Sequence, residues 1–573
     1  MANNNIVSPG IYINETDQSF IPEGIVEAGA AIVGPTVKGP VEVPTLVTSY
    51  NDYVAKFGDR IVSGSGTYSF FTSTAAYSYF NNGGTSLLVS RVVSGAYSEA
   101  TSSVSASGSN IAFQLNTIAE GLEQSSEAVA AKTSGLFPSG SKNNVRYEIT
   151  NSNTGSGTFT LVIRRGDDDD NNKIILEQYN NLTLDPFDPN FVGKAVGTQY
   201  VSIANDGTAD AYVQTNGDYP NISKYVYVSD IYETPNYLDS EGTVRDDEFK
   251  DYVPVNTGTG ASSKGFKGGT GALTAGAKFG KDITTSNIQG VSPDDFTQSF
   301  YLLNDTQYKY TSIVAPGLEY AGNSSTLDIL LNNAKDRQDF IAVVDLGLYG
   351  ASISAVTTEA TSINNSFAAS YYPWLFANDP VTGRLTWAPP STFIPGVYAY
   401  NDKVGEPWFA PAGLNRGALP TVAKTERSLT KANRDTLYED KVNPITTFPN
   451  SGVVVFGQKT LQTKASALDR INVRRLLIAI KQFLDQQAGN ILFEANTIAT
   501  RNNFLAIVNP YLESVQQRQG LYAFKVVMDE TINTPAVIDR NELVGQVYLQ
   551  PTKTAEFIIL NFNVQPTGAT FPE

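Results

Sequence analysis

Ser451–Asn496 reads SGVVVFGQKTLQTKASALDRINVRRLLIAIKQFLDQQAGNILFEAN, and its apolar spacing switches between the periods of strand and helix. Val453 to Phe456 form a β-branched apolar run closed by Gly457, the pattern of a buried strand. Farther on, Val473, Leu476, Leu477, Ile480 and Leu484 fall at i, i+3, i+4, i+7 and i+11, one apolar stripe of a helix. Arg474, Arg475, Lys481 and Asp485 lie off that stripe and predict a polar, solvent-facing side. Gly489 predicts a left-handed helix end, and Ile491 to Glu494 a second strand.

Around this stretch lie 573 residues, enough for several domains. A 41% hydrophobic fraction with 30 Tyr and 29 Phe predicts packed cores, and 47 Gly with 28 Pro predict many turns and short strands. The absence of Cys and His excludes disulfides, thiolate nucleophiles, His-containing triads and the usual zinc sites. A net charge of −17 argues against a nucleic-acid partner, which would require clustered Lys and Arg. That charge is uneven: from Thr421 onward 16 Lys+Arg face 14 Asp+Glu, against 24 and 43 for residues 1–420. No apolar run reaches membrane-spanning length and MANNNIVSPG lacks the features of a signal peptide, so membrane insertion is not expected.

Taken in order, residues 1–23 predict a short strand at Ile11 to Asn14 between Pro9 and Pro22, which must pair with a sheet elsewhere. Residues 24–93 predict a small α/β unit, with Gly83-Gly84 turning into a strand over Leu87 to Val93. Ser, Thr, Asn, Gly and Asp then dominate to about residue 270, a β-rich insertion of two small units. Within it, GDDDDNN lacks the glycine and final glutamate of a calcium loop, so Asp167 to Asp170 are expected in a solvated hairpin turn. KGFKGGTG, from Lys264 to Gly271, lacks the Gly-Lys-Ser/Thr of a phosphate loop.

Tyr310 to Pro316, a helix from Ser325 to about Lys335, and Phe340 to Leu346 predict a crossover between parallel strands, capped by Asn323 or Ser324. Asp345 ends a strand but has no sequence-evident catalytic partner, and a turn-forming carboxylate is expected. Past the opening stretch, Asn496 or Thr497 should cap a helix presenting Phe504, Ile507, Val508, Tyr511 and Val515, bent at Pro510. Strands over Tyr522 to Met528, Leu543 to Leu549 and Glu556 to Val564 complete the reading, an α/β and α+β multidomain chain.

The order GVVVFGQKTL, DRINVRRLL, ILFEAN resembles the C-terminal domain of contractile tail sheath proteins of tailed bacteriophages. SPG-x-Y-x-x-E near the start, Ala31 to Pro35, Phe57-Gly58, Pro373-Trp374, Pro389-Pro390-Ser391, Gly396, Asp402 and Pro411-Ala412 are similar to that family in order and spacing. The resemblance implies an N-terminal arm (1–23), a central α/β domain in two parts (24–95 and 271–420), and a variable protruding insertion between them (96–270). It further implies a C-terminal assembly domain (421–555) and a C-terminal strand and arm (556–573).

In such a protein the arms join subunits, here through Ile11, Tyr12, Ile13 and Asn14 and through Phe557, Ile558, Ile559, Leu560 and Phe562. The charge asymmetry makes Arg474, Arg475 and Lys481 the candidate tube-facing residues. The implied partners are other copies of the chain, a tail tube protein, and baseplate and tail terminator proteins, in a virion tail assembled in the host cytoplasm. No catalytic residue, cofactor or metal is expected. The alternatives are a non-contractile phage structural protein, such as a capsid or adhesin component, and, less favoured, a carboxylate-dependent hydrolase.

Overall fold

The computed structural model describes residues 26–63, 66–132, 134–257, 264–272, 278–449 and 451–556. At its centre is a six-stranded sheet ordered Ala368–Ala369, Ile341–Asp345, Ser312–Glu319, Ala30–Gly34, Leu87–Arg91, Thr45–Val47. All its pairings are parallel except the one that adds Thr45–Val47. Parallel strands covered on both faces require unbroken apolar runs. Ala30–Gly34, Leu87–Arg91, Ser312–Glu319 and Ile341–Asp345 are accordingly buried at every residue. The helix Ser324–Arg337 makes the predicted crossover and buries Leu327, Leu330, Leu331 and Ala334. Gly396 lets the helix Ile394–Val404 approach Phe71–Asn81 closely, because a Cβ there would lie 2.7 Å from Ser78 Oγ and 2.9 Å from its carbonyl oxygen.

This sheet takes strands from both sides of residues 94–272, whose strands pair among themselves. Two four-stranded sheets there share one apolar cluster, with Val104, Phe113 and Leu115 from one and Ile149, Phe159, Leu161 and Ile163 from the other. They form one packed unit where composition pointed to two. The first strand, Ser94–Ser105, pairs antiparallel with the last, Thr270–Ala272. The chain therefore leaves the central sheet and returns at one place, as suits a domain spliced into a loop. KGFKGGTG supplies part of this return through ladder pairs at Lys264–Gly265 and Thr270–Ala272.

Asp167 to Asp170 lie in the expected hairpin connection, between the paired strands Thr158–Arg165 and Ile175–Leu182, but that connection is not simply solvated. Asp168 is buried and accepts from Arg164 Nε (2.8 Å) and Nη2 (3.0 Å), while Arg146 lies 3.3 Å away. Glu148 pairs with Arg164 at 2.9 Å and with Lys173 at 2.8 Å, and Asp170 lies 3.5 Å from Arg164. Three cations and three carboxylates thus balance within the sheet. Arg146 and Arg164 project from neighbouring strands at paired positions, and Asp168, four residues beyond Arg164, reaches both. Burial holds the Arg146 guanidinium below its usual range, whereas at Arg164 the bonds and charge of Asp168 outweigh burial and raise it.

The opening stretch folds as strand and helix but not as the second strand. Gly452–Val455 pairs with Asn443–Phe448, and Ile471–Gly489 is a helix that contains Gly489. Residues 491–494 instead turn the chain into a second helix, Ile498–Gln517, with Glu494 N–H donating to the Ile491 carbonyl. Phe493 sits at φ 69, outside any ladder. Two helices that pack on each other need a reversal between them. Leu476 and Ile480 meet Phe504, Val508, Leu512 and Val515 in a second core. Thr497 caps the second helix by accepting from Thr500 N–H, and that helix runs through Pro510 with Ile507 exposed and Tyr511 half-buried.

Candidate assembly interface

The helix Ile471–Gly489 carries two apolar stripes. Leu476 and Ile480 face the second core, while Ile471 and Ile478 belong to the large central one. Arg474 and Arg475 complete the Ile471–Ile478 stripe at i+3 and i+4. They are therefore buried, 4% and 5% exposed, and not solvent-facing as their charge predicted. Arg474 lies 3.9 Å over the Phe367 ring and donates to Ser366 Oγ at 2.6 Å; burial brings its guanidinium down to about 10. Arg475 lies over Tyr398 and donates to Asp402 Oδ2 at 2.5 Å, a pairing whose charge outweighs burial and raises it. Lys481 is exposed and donates to Gln338 Oε1 at 2.6 Å, and Gln482 and Asp485 also reach the central domain, at Asp339 and Lys309. The polar side fastens this helix to its own central domain.

The exposed apolar groups cluster elsewhere. Leu492 and Phe493 project from the helix reversal, with Phe493 100% exposed. The ribbon Leu521–Val527 with Gln546–Pro551 is two-stranded among the described residues and exposes Tyr522, Val547 and Tyr548. A strand with one neighbour leaves a row of N–H and C=O groups open to pairing.

The described chain ends at Glu556, which is clamped. Its carboxylate accepts from Arg470 Nε (2.8 Å) and Nη2 (3.0 Å), from Gln458 Nε2 (3.0 Å) and from Tyr438 Oη (2.9 Å). Burial alone would raise this carboxyl, but Arg470 and Gln458 hold it below the usual range. Beside it opens a cleft of about 470 Å³ lined by Tyr438, Pro444, Phe456, Lys431 and Arg434. No sequence pattern marked this clamp, because its residues lie 86 to 118 positions from Glu556. The arm residues Ile11, Tyr12, Ile13, Asn14, Phe557, Ile558, Ile559, Leu560 and Phe562 lie outside the described residues.

Asp345 accepts from Ser391 Oγ (2.5 Å), Ser391 N–H (3.2 Å) and Gly317 N–H (3.3 Å), and burial pushes it up to about 6. It staples the Pro389-Pro390-Ser391 turn to the strand ends. Among the described residues no group of three or more Asp or Glu is placed to hold a metal ion, and no helix is long and apolar enough to cross a membrane.

Two domains match in succession: the phage tail sheath protein central domain over residues 289–461 and the phage tail sheath C-terminal domain over residues 463–565. Residues 289–565 thus resemble the two domains of phage tail sheath proteins. It is 33% identical over 339 residues to the tail sheath protein of Vibrio phage KVP40, covering 55% of this chain and 49% of that one. To the tail sheath protein of Enterobacteria phage T4 it is 36% identical over 232 residues, covering 40% and 35%. The chain thus spans half or less of the length of these sheath relatives. A crystal structure of a sheath tail protein from Listeria innocua shares the fold at TM-score 0.52 and 11% identity, over 92% of this chain and 95% of that one. The match to the sheath central domain runs to residue 461, and Ile445, Val453, Val455 and Leu461 pack in the central core.

Proposed function

We propose that this chain is the structural, non-enzymatic subunit of a contractile tail sheath. Copies polymerise helically around a tail tube protein, between baseplate and tail terminator proteins, and contract to drive the tube through the host envelope. The protein would be assembled in the host cytoplasm and reside in the virion tail. The observation that carries this reading is the succession of the two sheath domains on two cores joined by one helix.

In this reading the C-terminal region is the assembly domain and residues 96–270 protrude from the lattice. A neighbour's arm adds a strand to the open ribbon Leu521–Val527 with Gln546–Pro551, and such main-chain pairing survives rigid-body rotation of the domains. The Glu556 clamp fixes where the C-terminal arm leaves its own subunit. Interfaces that do not close generate helical filaments. If contraction buries about 300 Å² more apolar surface per subunit, it contributes about 7 kcal/mol before polar desolvation. With Arg474 and Arg475 occupied internally, contacts to the tube or to neighbours fall to Lys481 and the Leu492–Phe493 reversal.

Electron microscopy of the purified chain tests this directly: striated tubes or stacked rings are expected, and a persistent monomer would overturn it. Deleting residues 1–22 should leave the melting profile unchanged and abolish polymer; normal polymer would contradict the role of the arm. Phe493→Asp touches no core residue and should preserve folding while reducing polymer yield or tube-templated assembly. Wild-type assembly by that variant would remove the reversal from the interface.

A further inference from the structure

The insertion meets the central domain along a seam whose charges do not balance. Val41 N–H donates to Glu120 Oε2 (2.8 Å), and Arg91 Nη1 donates to the carbonyls of Gly39 (2.6 Å) and Glu120 (2.7 Å). Tyr97 Oη donates to Glu42 Oε2 at 3.3 Å. Glu42 is held at φ 62, a left-handed conformation that a long side chain rarely adopts without surrounding constraint. At the far end of the seam, the turn joining Tyr200–Ala204 to Tyr212–Asn216 rests on the central domain through Gly207 N–H, which donates to Gln298 Oε1 at 2.9 Å. Glu42 thereby faces Tyr97, Glu120 and Asp206 from the insertion and Asp295 from its own domain. Glu120 faces Arg91 and Glu99, and Arg91 also faces Glu123 and Tyr53. Glu42 thus faces three other carboxylates, Glu120, Asp206 and Asp295, and no cation, while the one guanidinium at the seam, Arg91, faces Glu120 and Glu123 and sends its hydrogen bonds to carbonyl groups.

We propose that this seam is a proton-operated latch. With Glu42 and Glu120 neutral the insertion is seated; with both ionised the acidic turn at Asp206 lifts from Gln298. The insertion then pivots about the paired strands Ser94–Ser105 and Thr270–Ala272. Burial, then Asp206, pushes Glu42 up to about 7, and burial pushes Glu120 to about 7 against the pull of the Val41 N–H and Arg91. A carboxyl that binds its proton more tightly when seated stabilises the seated state fully below the free-carboxyl range. That contribution is lost as pH rises through about 7. Lys38, nearby with Lys142, Asp59 and Glu123, is brought down to about 8 by burial and then by Lys142, so it favours the seated state only as pH climbs past that value.

The absence of cysteine makes the test clean. Asn153→Cys on the insertion and Thr306→Cys on the central domain, both exposed positions, take a spin-label pair in the full chain. One narrow distance distribution is expected at about pH 5.5, and a second, longer population at about pH 8.5. Glu42→Gln with Glu120→Gln should lose the longer population. Asp206→Asn, a change at an exposed turn, should diminish it and decides the matter if the double variant does not fold. Identical distributions at the two pH values, a longer population that persists with both glutamines, or an unaltered response in Asp206→Asn would overturn the latch.

Discussion

Alanine at Arg164 is expected to melt the insertion while leaving the central and C-terminal cores folded. Arg164 and Asp168 are both 0% exposed, and their two direct bonds are joined by the contacts to Glu148 and Asp170. Removing one member of a buried pair leaves its partner as an uncompensated charge, at a cost of about 3–5 kcal/mol. Here the deletion strands Asp168 beside Arg146, whose position 3.3 Å away compensates only in part. Because the insertion has its own apolar cluster, the loss should appear as a separate low-temperature transition in calorimetry. Arg164→Lys keeps the charge but not the paired bonds, and should fall between wild type and alanine. Superimposable melting of wild type and Arg164→Ala would mean that the network contributes nothing net.

Arg474→Ala combined with Arg475→Ala should destabilise the chain, not merely weaken its attraction for an acidic partner. Each guanidinium sits over an aromatic ring of the central domain, and Arg475 also pairs with Asp402. Buried cation–ring contacts contribute roughly 1–2 kcal/mol each. The Asp402 pair adds about 1 kcal/mol, because that carboxylate is 36% exposed and partly screened. Since the residues are adjacent, the combined loss of about 2–4 kcal/mol is not a simple sum. Hydrogen exchange should quicken across 471–489, where the helix is held between the two cores. Unchanged exchange and melting, together with poorer tube-templated assembly, would return both arginines to the surface role that their charge first indicated.

Periodicity made the central sheet legible wherever one pattern had one cause. The crossover from Ser312–Glu319 to Ile341–Asp345 follows from two apolar runs around an amphipathic helix, and its strands are parallel as that spacing requires, although Asn323 at the helix start donates to Glu319 and does not cap. The 471–489 helix has two causes for its pattern. One stripe is plainly apolar, but the second contains Arg474 and Arg475, and long side chains can bury their stems and rings of charge against aromatics. Composition alone cannot separate that from a solvated face. Asp168 misled for a similar reason: four successive aspartates read as solvated, and the hairpin turn they do form buries one of them only because strand pairing sets Arg146 and Arg164 side by side. Ile491 to Glu494 has the composition of a strand, but it joins two helices that pack on each other and is spent on the reversal between them. The Glu556 clamp is tertiary from the outset, built from residues that no local window contains.

The side-by-side pairing of Ser94–Ser105 with Thr270–Ala272 also makes the central domain a socket. Any domain whose two ends emerge about 5 Å apart, the separation of paired strands, can be seated there with no change to the sheet beneath. A polymer built from such subunits can change its outer coat without redesigning its lattice, and a foreign domain exchanged for residues 96–270 would be displayed once per subunit along its length.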